Sequence, residues 1–92
     1  MRLIGKPILQ RTLVLHPTAR PWVASWAAEI ADAQWKQPAD VRAQFPRVRE
    51  RPSGAFAFPV ADTGSALVLA IAFPAGVALI QALISRDDSN GG

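Results

Sequence analysis

Residues 66–84 read ALVLAIAFPAGVALIQALI, nineteen positions without a charge. Their length and polarity meet the requirement for a membrane-spanning helix, about 20 apolar residues. Pro74, Ala75 and Gly76 in the middle equally suit a turn between two strands. The internal pattern bears on the choice. In an extended chain Leu67, Leu69, Ile71 and Phe73 fall on one face and Ala66, Val68, Ala70 and Ala72 on the other. After the turn, Val77, Leu79, Gln81 and Leu83 share a face, and Ala78, Ile80, Ala82 and Ile84 share the opposite one. A membrane helix tolerates Pro and Gly. Here, however, Ala and Gly dilute the hydrophobicity, and no Trp or Tyr marks an interface. The stretch alone leaves both readings open.

The flanking sequence extends the strand pattern. From residue 52 to residue 84 the only charge is Asp62. Residues 55–60 (AFAFPV) alternate small and large, and Asp62, Thr63 and Gly64 form a turn signal before the apolar run. Three such runs separated by turns make an antiparallel meander with one face free to pack on helices.

The N-terminal half is helical in pattern. Residues 2–4 suit a short strand. Pro7 opens a helix carrying Ile8, Leu9, Leu13 and Leu15 near one face, and His16-Pro17 ends it. Thr18 suits an N-cap for a helix over 19–35, where Trp22, Trp26 and Ile30 repeat every fourth residue. At that spacing the tryptophans read as core, with a nucleic-acid stacking surface as the alternative. Asp32 and Lys36 sit at i,i+4 for an ion pair. A short third helical turn starts at Pro38 and closes at Phe45-Pro46.

Composition narrows the chemistry. Ninety-two residues amount to one domain, 1–92. Without cysteine there is no disulfide framework or thiolate chemistry. One histidine and scattered carboxylates argue against a metal site, and no cofactor is expected. Lys6, Pro7 and Arg11 interrupt any N-terminal apolar region, so the expected location is the cytoplasm. The formal net charge of +3 is unevenly spread: Arg42, Arg47, Arg49 and Arg51 fall within ten residues, opposed there only by Glu50. Such a cluster suits phosphate backbones; a solvated basic loop is the simpler account. Arg49 and Arg51 alternate, as in an edge strand with both side chains on one face. His16, before Pro17 at a helix end, is read as structural.

Three blocks of this sequence carry a resemblance: MRLIGKPIL at 1–9, HPTA at 16–19, and WKQPADVRAQFP at 35–46. They resemble the HigB family of toxins in the RelE superfamily, strongly over residues 1–46 and in apolar rhythm beyond. The resemblance implies an α+β fold, two N-terminal helices packed on a three- to four-stranded antiparallel sheet, with 66–73 and 77–84 as adjacent strands. It implies a metal-independent endonuclease acting on mRNA on the ribosome, and a helix-turn-helix antitoxin as partner, without a membrane. Lys36, Arg42, Arg47, Arg49 and Arg51 are then the candidate RNA-binding residues.

It also exposes departures. Basic groups are expected where this chain has Ala61, Ala66 and Gln81, and a histidine where it has Arg86. Arg86, the one charge retained and the sole catalytic candidate, is a poor general base because it stays protonated. An aromatic residue is replaced by Ser89. The expectation is therefore a toxin fold with a degenerate catalytic face. The alternatives are a non-catalytic module that binds antitoxin or RNA and, on the apolar run alone, a small single-span membrane protein.

Overall fold

The computed structural model describes residues 1–85. The chain runs β1 (Arg2–Ile4), α1 (Lys6–Leu15), a 3-10 turn (Pro17–Ala19), α2 (Arg20–Asp32), α3 (Pro38–Gln44), β2 (Arg49–Glu50), β3 (Phe56–Pro59), β4 (Ser65–Ala72) and β5 (Val77–Ser85). The apolar run is not a helix. It forms β4 and β5, paired antiparallel from Ala72↔Val77 to Ser65↔Ser85. Among the described residues no helix is long and apolar enough to cross a membrane.

The fold is α+β, but the sheet differs from the expected one. It has five strands in the order β1-β5-β4-β3-β2, and it is mixed, because β1 pairs parallel with β5. Both edges lie where the sequence offered short strands, at 2–4 and around 49–51, but a strand of two or three residues carries too little pattern to show its partner or direction. The helices number three rather than two. The 3-10 turn takes the place assigned to a Thr18 cap, and α2 begins at Arg20 with no side-chain cap. It also stops three residues early, at Asp32, because Ala33 is extended (φ −68°, ψ 144°). Lys36 is therefore not one helical turn beyond Asp32, and the two form no ion pair among the described residues. The backbone N–H of Lys36 instead donates to the Asp40 carboxylate at 2.8 Å, beside the Gln37 N–H, which donates to it at 3.3 Å in the capping box that starts α3.

One sheet face builds the core. Phe56, Phe58, Val60, Leu67, Leu69, Ala78 and Ile80 are buried against Val23, Trp26 and Ile30 of α2, with Ile8, Leu9 and Leu13 of α1 packed around them. Leu15, expected on that face of α1, is 58% exposed, because it falls off the 8, 9, 12, 13 stripe. Trp26 lies at the centre of this core, against an edge of Phe58. Trp35 packs edge-on to Phe45 and donates from Nε1 to Gln44 Oε1 at 3.0 Å.

The alternation in β4 holds, and Leu67 and Leu69 face the helices. In β5 it fails halfway. Val68 pairs with Ala82 but Leu69 pairs with Ile80, leaving Gln81 unmatched. The irregularity moves Leu83 to the core side with Ala78 and Ile80, whereas strict alternation had placed it with Leu79. The other face carries small residues: Ala55, Ala57, Ala66 and Val68 form a second cluster joined by Ala82 and Ile84.

Candidate functional site

The alanine-rich face ends in a groove of about 1130 Å³ between the α3–β2–β3 connection and the β3–β4 turn. Pro59 of β3 and Ala66 of β4, which pair across the sheet, contribute to its lining together with Ala57, two residues back along β3. Arg47, Arg49 and Arg51 line it from the β2 side. Register explains two of these placements. Arg49 pairs with Ala57, and the Arg51 backbone N–H donates to Ala55 O at 2.8 Å. Residues paired across a sheet share a face, so both arginines lie over the alanine cluster. Glu50 alternates to the helix side and binds Arg42 of α3. Arg42 is thereby occupied at the margin, outside the groove lining. Glu50 and Asp62 are the acidic residues of the lining, and Glu50 is already paired.

The β3–β4 turn supplies the other side. The Thr63 hydroxyl donates to Val60 O at 2.7 Å and accepts from the Ser65 backbone N–H at 3.2 Å, which fixes the turn. Ala61 holds a left-handed conformation (φ 44°), the only non-glycine among the described residues to do so. Ser65, the first residue of β4, lines the groove, and its Oγ lies 3.0 Å from His16 Nε2. His16 thus ties the end of α1 to the start of the central strand, in keeping with a structural reading.

The sequence candidates divide as follows. Arg47, Arg49 and Arg51 come together in one groove. Arg42 is paired beside it, and Lys36 is exposed in the α2–α3 connection, away from the lining. Ala61 and Ala66, where the toxin resemblance leads one to expect basic groups, line the same groove as the three arginines. Gln81 is exposed at the irregularity of β5. Arg86 and Ser89 lie outside the described residues. Thr63 and Ser65 were not singled out, since a hydroxyl at a turn is a common capping device with no chemical signature of its own. Among the described residues no group of three or more His, Cys, Asp or Glu could hold a metal ion.

A small α+β protein with helices on one sheet face and an arginine-walled groove at the other fits a toxin fold. The family model HigB_toxin, the RelE-like toxic component of a toxin–antitoxin system, matches residues 19–88, and the chain belongs to that family. The match runs through the sheet, where the sequence resemblance had rested on apolar rhythm alone. Membership implies an antitoxin partner. No curated protein matches the chain.

Proposed function

We propose that this toxin binds single-stranded mRNA by its phosphates through Arg47, Arg49 and Arg51, and cleaves it weakly or not at all. One observation carries the reading: the three arginines share a groove with Ala61 and Ala66. Arginines hold phosphate well, in forked hydrogen bonds. They do not accept a proton from a 2′-hydroxyl, and an alanine neither donates nor accepts one. The groove therefore keeps the binding half of a nuclease site and lacks the basic proton-transfer groups at these two positions, with Asp62 the carboxylate of its lining outside the Arg42–Glu50 pair. Each missing general acid or base is worth about 10²–10⁴-fold in rate, although such losses do not multiply cleanly.

The test is induced expression with a growth readout, together with primer extension on a translated message. The expected result is little arrest and no codon-linked cuts by the parent chain, and more cleavage by an Ala61→Lys, Ala66→Arg double variant. Robust cuts by the parent chain would sink the reading.

A second reading, a non-catalytic module for a helix-turn-helix antitoxin, is favoured by the outer face of the β1–β5 pair. Ile4 and Leu79 are register neighbours there, 41% and 43% exposed. Adjacent exposed apolar residues often mark a partner surface. Leu79→Glu would weaken antitoxin capture and leave RNA binding intact.

A further inference from the structure

A second cavity, of about 300 Å³, is lined by α2, β3 and the α3–β2 connection. Trp22, Trp26, Phe45 and Phe58 give it aromatic walls, and Glu29 and Arg47 are its charged residues. The rings brace one another. Trp22 stacks on Trp26 with centroids 5.8 Å apart and planes 14° apart. Phe58 meets Trp26 edge-on at 5.6 Å, and Phe45 meets Phe58 edge-on at 5.2 Å. Trp26 and Phe58 are buried, while Trp22 and Phe45 keep part of their surface open. Trp26 Nε1 is buried without a hydrogen-bond partner among the described residues. Burying an N–H without an acceptor is unfavourable and uncommon. Pro46, Arg47, Val48 and Pro59 line both this cavity and the arginine groove, so the two adjoin.

We infer that this cavity seats one nucleobase of a single-stranded RNA, with the phosphate of that nucleotide on Arg47 at the junction with the groove. The inference rests on the RNA reading above and adds to it, since phosphate contacts alone take any polyanion. Two features favour a base over an aliphatic side chain. Aromatic walls stack on the flat face that every base presents. The cation shared with the groove suits the phosphodiester that a base brings with it. Glu29 repels phosphate, which keeps the charged part of the nucleotide on the Arg47 side.

The chain has three tryptophans, and only Trp22 and Trp26 line the cavity; Trp35 does not. Titration of the full chain compares an adenylate hexamer with inorganic polyphosphate of similar charge. The hexamer is expected to quench tryptophan fluorescence, and polyphosphate to leave it unchanged. Trp22→Leu, which keeps an apolar filler, is expected to weaken hexamer binding roughly tenfold or more without changing polyphosphate affinity, and Trp22→Phe to restore most of it. A hexamer with 2-aminopurine at one position tests the parent chain without any variant, because a seated base loses its emission. Equal hexamer affinity for Trp22→Leu and parent, or unquenched 2-aminopurine in the saturated complex, overturns the base subsite and leaves the phosphate groove standing. That result would reassign the cavity to protein contact. Failure of the parent chain to bind the hexamer at all overturns the subsite and the RNA reading together.

Discussion

Gly5→Ala probes the seam where β1, α1 and β5 meet. Gly5 caps α1 with φ 115° and ψ 34°, a conformation that side chains rarely adopt. A Cβ added there would lie 2.8 Å from Ile80 Cβ and 3.0 Å from Ile80 O. Ile80 has little room to retreat: it is 3% exposed and paired with Leu69 across the sheet. The left-handed backbone costs about 1–2 kcal/mol for a residue with a Cβ. Overpacking a filled core adds about 1–3 kcal/mol. The sum is about 2–5 kcal/mol. A chain of 92 residues has a total stability of about 5–14 kcal/mol at the usual 0.05–0.15 kcal/mol per residue. The assay is urea unfolding followed by tryptophan fluorescence. With a slope of about 2 kcal/mol per molar urea, the midpoint should fall by about 1–2.5 M. Gly76→Ala is the control, since Gly76 also has positive φ (68°) but nothing lies within 4 Å of its added Cβ. It should show the conformational cost alone, about 1–2 kcal/mol. If Gly5→Ala lowered the midpoint no more than Gly76→Ala, the close approach to Ile80 would carry no energy and the reasoning would fail.

Filter binding of a single-stranded oligoribonucleotide across a salt series should show each of Arg47→Ala, Arg49→Ala and Arg51→Ala reducing the slope of log K against log salt by about 0.7. An unchanged slope in the triple variant would remove the groove from RNA binding. Arg42→Ala should lower stability by only about 0–1 kcal/mol, because Arg42 and Glu50 are 52% and 47% exposed; a larger loss in thermal unfolding would mean the pair holds β2 in place. Ser65→Ala removes the hydroxyl partner of His16 and should cost about 1 kcal/mol in the same assay, and no change would show that the contact contributes nothing.

The second half shows how far a sequence pattern reaches. Large/small alternation in residues 66–73 identified β4 and its core face, because a strand of eight residues repeats its period often enough to read. The same rule misplaced Leu83, because the shift near Gln81 is a one-residue event with no side-chain signature. In the site, the clustering of Arg47, Arg49 and Arg51 was readable, since near neighbours in an extended segment stay close in space. That Ala61 and Ala66 share their groove was not, because the β3–β4 hairpin had first to be brought beside β2.

Local periodicity and punctuation by themselves marked the candidate strands, a turn signal at 74–76 and the tryptophan-bearing α2, and the α+β class followed from the family resemblance that short blocks of sequence carry. These are properties of short segments, set by where side chains point in a helix or a strand. Tertiary structure alone decided that residues 2–4 join β5 in parallel, that Glu50 takes up Arg42, and that Trp22 and Trp26 adjoin an arginine groove through Arg47. Each of those depends on distant segments packing against a shared core, and the free energy of that packing is written in no single stretch of the chain.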